Sequence, residues 1–387
     1  MTASRRVIPN AVPHLAGNEW KYVKECLDTN WVSSAGPFVD RFERETAQYV
    51  GVPHAVATVN GTAAIHVALL AAGVTAGDEV LVPAFTFVST ANAVAYCGAH
   101  PVFLDCEETS WGLDPVRVAE FLDGECEVKG AQVVNRRSGR TVRALLPVHL
   151  YGHPCDLDPL LALARRYPMA VVEDSAEALG ARYRGRAVGA DGLAGCLSFN
   201  GNKIITTGAG GMVLARDEAM AARVRRLTTQ ARGDAIEFIH DEIGFNYRLS
   251  NLHAALGVAQ LEQIDGFVED KRATAAFYAG ALGRLDGVHP FVETAWARST
   301  YWMASILLDE GRCRDVRALI RDLNAAGIQA RPLWRPLHLQ PAFQRAQTGP
   351  VSVAERLHAR GLSLPCSVGI TSEERQDVVD AVVQRLS

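Results

Sequence analysis

Lys203 stands in SFNGNKIITTGAGGMV (residues 198–213), a run of small and β-branched residues with no carboxylate inside it. The chain carries 39 Lys and Arg, and only five are lysines, at 21, 24, 129, 203 and 271. A guanidinium stays protonated and forms no imine, whereas a buried amine loses its proton and attacks a carbonyl. Imine chemistry is therefore the reading for Lys203, with desolvation by its neighbours lowering its pKa.

Three other stretches supply what such an amine would work with. VATVNGTAAIHVAL passes from a strand into a helix through Asn60, Gly61 and Thr62, so backbone N–H groups and a hydroxyl collect at a helix N-terminus, a seat for phosphate. The plainer alternative is that Thr62 only caps the helix. VVEDSAEALG sends Asp174 out at the carboxyl end of an apolar strand, the edge at which open α/β sheets bind ligands. Its alternative is a cap on a helix formed by SAEALG, with Glu177 as the capping-box partner. PAFTFVST offers Phe85 and Phe87 after a strand, as a face for a planar ring or as core.

Phosphate seat, aromatic, strand-end aspartate and then a lone lysine after a later strand have one joint chemical reading, a pyridoxal 5'-phosphate (PLP) site. The lysine carries the cofactor, the aspartate keeps the ring nitrogen protonated, and the helix N-terminus holds the phosphate. Other motifs fail their context. GAGG (208–211) precedes a strand rather than opening a helix, unlike a dinucleotide fingerprint. His149 and His153 have helical zinc-ligand spacing, but Gly152 and Pro154 break a helix there, so no metal is expected.

The elements that must position these residues alternate between short β-rich runs and helical segments. Strands are expected at 55–59, 79–83, 101–105, 144–148, 170–174, 195–199 and 211–215, with helices at GTAAIHVALLAAG, STANAVAYCG, DPVRVAEFL and DLDPLLALARRY. This is the signature of a mainly parallel seven-stranded sheet covered by helices. A longer amphipathic helix over 249–271 would lead into a smaller C-terminal α/β domain. The expected division is an N-terminal segment 1–30, a large domain 31–250 and a helix with small domain 251–387. Residues 125–142 read as a polar hairpin turning at RSGR.

Composition narrows the partners. With 387 residues, 48% hydrophobic and a net charge of −4, the chain can bury a full core and shows no basic surface for nucleic acid or anionic membrane. Eight cysteines lie scattered without a C-x-x-C pair, and the N-terminus lacks an apolar signal core, which points to the cytoplasm. The uncharged stretch 80–104 has the length of a membrane span, but its prolines, Gly98 and polar side chains indicate strand, turn, helix, strand.

EDSAEALG, SFNGNKIITTGAGGMV, GFNYRLSNLHAALGVAQLEQ and RPLWRPLHLQP together resemble the PLP-dependent nucleotide-sugar aminotransferases of fold type I, the DegT/StrS-like group, over essentially the whole chain. The resemblance implies a homodimer with shared active sites, Lys203 as the Schiff-base lysine, Asp174 on the ring nitrogen and Glu177 near the phenolic oxygen. It also implies Gly61, Thr62, Ala63 and Ser198 on the phosphate, Phe87 stacked on the ring, and Asn246 and Arg248 reaching the phosphate from the neighbouring subunit. Glu177, where many relatives carry Gln, and Ala209, within a run that is often all glycine, depart from the group's pattern.

Segments 12–44 and 328–343 are most similar to transaminases that aminate UDP-linked 4-keto-6-deoxy-N-acetylhexosamines at C4 with L-glutamate. Trp31, Ser33, Arg331 and His338 are the expected substrate contacts, with Arg331 and Arg335 flanking Trp334, itself a candidate to stack on a base or sugar. A GDP- or dTDP-linked 4-keto-6-deoxyhexose is the alternative substrate. A PLP-dependent sugar dehydratase or a regulator is the alternative class, although the similar dehydratases carry His where Lys203 stands.

Overall fold

A computed structural model describes residues 7–234 and 236–386. Seven strands form the main sheet: β1 (His54–Thr58), β2 (Glu79–Pro83), β3 (His100–Leu104), β4 (Val142–Leu145), β5 (Ala170–Asp174), β6 (Ala194–Ser198) and β7 (Gly211–Ala215). They lie in the order 1-7-6-5-4-2-3, and only β7 runs antiparallel to its neighbours. The strands are near-continuous apolar runs, as a sheet covered on both faces requires, and every residue of β2 and β7 is buried.

The turns at the strand ends carry the chemistry. Asn60 caps the helix Gly61–Ala71, accepting from Ala63 N at 2.8 Å, so the cap anticipated at Thr62 belongs to its neighbour. This helix start lies against the end of β6: a Cβ on Gly61 would stand 2.7 Å from Ser198 Cβ, so only glycine permits the approach. The stretch 80–104 resolves into β2, the helix Val88–Tyr96 and β3. Among the described residues no helix is long and apolar enough to cross a membrane.

Two expectations about elements need correction. The single helix over 249–271 is two, Asn251–Leu261 and Ile264–Leu282. The break falls where the Gln263 side chain folds back on Ala259 O and Glu262 is drawn to Asn18, Tyr22 and Arg41. The hairpin in 125–142 pairs Cys126–Lys129 with Gln132–Asn135 and turns at Gly130, whereas RSGR forms a second turn leading into β4.

Helix Asn251–Leu261 is fixed to the segments before it: Asn251 bonds Phe38 N, Trp31 O and the Cys26 thiol. Beyond residue 282 the chain builds a second sheet from β8 (Val288–Pro290), β9 (Ala304–Leu308), β10 (Arg331–Pro332) and β11 (Gly361–Leu364), in the order 8-9-11-10. The N-terminal residues join this sheet's surroundings through the Ile8–Ile328 bridge and Asn10 O, which accepts from Cys366 N.

Candidate active site

The loops after β5 and β6, the start of helix Gly61–Ala71 and the segment around Trp334 enclose a cleft of about 460 Å³, lined by Gly61, Thr62, Phe87, Glu177, Ser198, Lys203, Trp302, Arg331 and Trp334 among others. A larger surface hollow, about 620 Å³, lies between helices Pro37–Val50 and Glu218–Thr228. It presents no lysine, and its Arg225 is paired with Glu43. Of the two, the smaller cleft combines an amine, a carboxylate and free backbone donors.

Lys203 follows a turn in which its N–H bonds Asn200 O, and its amine comes to 3.7 Å from Glu177 Oε1 and 4.0 Å from the centre of the Trp302 ring. Burial lowers the Lys203 pKa, and the charges of Glu177 and Asp174 oppose that shift. The sequence around Lys203 holds no carboxylate, so both reach it only through the fold.

Asp174 ends β5 almost fully buried. Thr90 Oγ1 donates to its Oδ2 at 2.7 Å and Ala176 N to its Oδ1 at 3.1 Å. Burial pushes the carboxyl upward, and these two donors with Lys203 hold the rise back. SAEALG forms turns rather than a helix, so Asp174 caps no helix there and Glu177 completes no capping box. Glu177 instead accepts from Tyr151 N at 2.8 Å and faces Lys203; burial raises its pKa first, and the Lys203 charge counters that.

At the other end of the cleft the N–H groups of Gly61 and Thr62 have no partner among the described residues, and the Ser198 side chain adjoins them. Ala63 must be corrected, since its N–H is already taken by the Asn60 cap. Phe87 is 45% exposed at the cleft and meets Trp334 at 5.0 Å between ring centres, whereas Phe85 is core against Trp111 and Tyr151.

A planar, anionic, imine-forming cofactor suits this donor set. Free N–H groups at a helix start suit a phosphate, a buried carboxylate at a strand end suits a protonated ring nitrogen, and the Lys203 amine shares the cleft with the first and feels the charge of the second.

Of the expected substrate contacts only Arg331 lines the cleft. His338 does not: Leu337 N is anchored to Ala84 O, and the following imidazole turns its Nε2 to Glu355 at 3.0 Å. Arg335 donates to Leu339 O. Trp31 and Ser33 lie outside the cleft because Asn251 holds both their carbonyls, through its Nδ2 and its backbone N–H. Asn246 and Arg248 also do not reach the cleft of their own chain. Arg248 Nη1 is committed to Glu43 Oε1 at 2.8 Å and Ala57 O at 3.0 Å, and its side chain is only 10% exposed.

The histidines set aside as metal ligands have other partners: His149 pairs with Glu173, and His153 bonds Pro154 O and Thr294 N. Among the described residues no group of three His, Cys, Asp or Glu is placed to hold a metal. Sequence reasoning missed Thr90, Tyr151 and Trp302. Thr90 was legible as a hydroxyl three residues after Phe87 in the first turn of a helix; Tyr151 and Trp302 gave no local signal.

Comparison with known proteins agrees with the chemistry. Residues 13–383 match the model of the DegT/DnrJ/EryC1/StrS aminotransferase family. The chain is 40% identical over 378 residues to a GDP-perosamine synthase of Caulobacter vibrioides, covering 97% of each. It is 41% identical over 377 residues to the putative pyridoxal phosphate-dependent aminotransferase EpsN of Bacillus subtilis, covering 96% of this chain and 94% of that protein. A crystal structure of a DegT DnrJ EryC1 StrS aminotransferase from Brucella abortus superposes with a TM-score of 0.87 at 27% identity, covering 96% of this chain and 95% of that one.

Proposed function

The chain belongs to the DegT/DnrJ/EryC1/StrS aminotransferase family and is a PLP-dependent sugar aminotransferase, and from that premise we propose that it aminates C4 of a GDP-linked 4-keto-6-deoxyhexose, with L-glutamate as donor. The observation that carries the nucleotide is the likeness, along nearly the full length of both chains, to a GDP-perosamine synthase. It displaces the UDP-linked N-acetylhexosamine expected from segments 12–44 and 328–343. His338, an expected substrate contact in that reading, faces Glu355 rather than the cleft.

When bound, PLP supplies a pyridinium that withdraws the electron pair left when a proton leaves the substrate carbon. The protein's own residues do the rest. Gly61 and Thr62 N–H, the Thr62 hydroxyl and Ser198 bind the phosphate at the positive end of a helix. Asp174, kept in place by Thr90 and Ala176 N, holds a proton on the ring nitrogen. Phe87 covers one face of the ring. Lys203 Nζ carries the cofactor at rest and, once released, moves a proton to or from the reacting carbon, with Glu177 stabilising its charged form. Arg331 at the cleft rim meets the diphosphate.

The working unit in this reading is a homodimer, with Asn246 contributed to the partner's phosphate site and Arg248 fixing the Asn246 segment against Ala57. Support for an interface comes from one segment that exposes Ile236, Phe238, Ile239 and Ile243, the first and last more than 80% exposed. The eight free thiols, seven of them buried, suit a reducing cytoplasm.

The test is a substrate panel. Enzyme in the pyridoxamine phosphate (PMP) form is mixed with GDP-, dTDP- and UDP-linked 4-keto-6-deoxy sugars, and the return of PLP absorbance is followed. The GDP sugar should lead in kcat/KM by about tenfold or more. A lead for the UDP-N-acetyl sugar would return the assignment to the earlier expectation.

A further inference from the structure

Trp302 is one of the largest fully buried side chains in the protein, 1% exposed, yet its ring is a wall of the cleft. Three contacts fix it. Its indole N–H donates to Asn202 O at 2.6 Å, the carbonyl immediately before Lys203. Its own carbonyl accepts from Lys271 Nζ at 3.2 Å and from the Cys366 thiol at 3.3 Å. Its ring lies nearly parallel to Tyr151 (20°, centres 6.2 Å apart), which in turn lies parallel to Trp334 (20°, 5.8 Å). Tyr151 adopts φ 53°, a left-handed backbone that a non-glycine residue holds only under constraint, and this conformation directs its N–H to Glu177 while its ring enters the stack.

We propose that Trp302 is a positioning residue for the reaction: its π-face, 4.0 Å from Lys203 Nζ, is the dock that receives the ε-ammonium whenever Lys203 is released from the cofactor, opposite the Glu177 carboxylate. A cation over an indole face is attracted by the ring's quadrupole, and more strongly in a desolvated site. The same residue grips the backbone at Asn202, so amine and loop are held by one side chain. Glu177 alone would leave the ammonium free to swing about its 3.7 Å contact. Between carboxylate and ring it has a defined resting point, from which it returns to the same atom in each half-reaction. The charged groups that face the amine are Glu177 and Asp174, with Arg331 farther out on the cleft wall. The proposal rests on Lys203 being the cofactor lysine and is independent of which nucleotide the substrate carries.

The decisive measurement is the titration of Lys203 in the PMP holoenzyme, in which the amine is free, by pH-dependent trace acetylation and mass spectrometry of its peptide. Trp302→Leu should lower the midpoint by about one pH unit, the scale of a desolvated cation–π contact. Trp302→Phe, which keeps an aromatic face, should lower it by less than half as much. Because Trp302 is buried and the leucine variant can fail to fold, the same titration is run on wild-type protein whose tryptophans carry increasing ring fluorination, which preserves shape while weakening the π-face. A stepwise fall of the Lys203 midpoint with fluorination is expected. A midpoint that fluorination leaves unchanged overturns the proposal and makes Trp302 packing only. Acetylation of Lys203 as fast in the PLP form as in the PMP form would instead overturn the assignment of Lys203 as cofactor lysine.

Discussion

Lys203 and Lys271 both point inward, while the other three lysines are exposed, and the two are held in opposite ways. Lys271, 3% exposed, donates to Cys366 O at 2.7 Å and to Trp302 O at 3.2 Å; among the described residues it has no carboxylate within ion-pair distance, and it does not line the cleft. Among the described residues Lys203 makes no close hydrogen bond through its amine, only the longer approaches to Glu177 and the Trp302 ring, and it opens onto 460 Å³ of space. A nucleophile has to be left incompletely satisfied, because an amine whose protons are all committed to carbonyls cannot give one up cheaply. Burial alone does not make a lysine reactive.

The strongest way to break this contrast is at Lys203. Lys203→Ala should lower transamination by about a thousandfold or more, as loss of a positioned proton-transfer group does. PMP should still bind, because the Gly61–Thr62 and Ser198 contacts remain. Borohydride reduction of the wild type should fix the cofactor to the peptide containing Lys203; label on Lys271 would invert the contrast.

Asp174 comes next. Asp174→Asn keeps the size and both neighbouring donors but cannot hold a cationic ring nitrogen by charge. It should cut kcat by about a hundredfold, with unfolding and circular dichroism close to wild type. Near-normal turnover would reduce Asp174 to an anchor for Thr90 and Ala176.

The contrast extends to the histidines. His153 is fully buried, with Nδ1–H donating to Pro154 O at 2.6 Å and Nε2 accepting from Thr294 N at 3.1 Å, so its neutral form is the bonded one. Desolvation first of all takes its pKa from 6.5 down to about 4. Between those values the unfolded chain binds a proton that the folded chain refuses, so stability falls as pH drops from 6.5 to 4, by about 3 kcal/mol. Denaturant unfolding at a series of pH values checks it, and in His153→Gln that part of the slope should disappear.

What the sequence disclosed follows from where each signal resides. β2, β5 and β7 were legible to the residue because an apolar run between turn residues is a local pattern, and Lys203 was legible because it is out of place in its own segment. Thr90, Tyr151 and Trp302 come to the site from separate stretches, and nothing near them in the chain says that a carboxylate or an amine will be their neighbour. Arg335 was read toward the substrate from its place beside Trp334 and His338 as a substrate contact in the same segment, but the Leu337 anchor to Ala84 turns the imidazole away and a carbonyl captures the guanidinium. Arg248 was given to the neighbouring subunit's phosphate by the resemblance, and its bond to Glu43, 205 positions earlier, had no local signal in the chain.

The smallest effect sharpens the comparison from its other side. Lys271→Met keeps the length and apolar stem of the side chain but withdraws the donors from Trp302 O and Cys366 O. Trp302 O keeps the Cys366 thiol as donor, so only Cys366 O is left unpaired, at about 1–3 kcal/mol, and the methionine recovers part of that because no charge need be buried in its place. The net expectation is a loss of about 1 kcal/mol, read as a lower denaturant midpoint at unchanged slope. Cofactor loading and the borohydride-labelled peptide should stay as in the wild type, since Lys203, Asp174 and the phosphate donors are untouched. The Lys203 titration should move only slightly, because the Trp302 indole remains bonded to Asn202 O and its carbonyl keeps the Cys366 thiol. A stability loss with the chemistry preserved places Lys271 among the groups that hold the fold; cofactor loading abolished in a folded Lys271→Met variant would show that the two lysines are one functional unit.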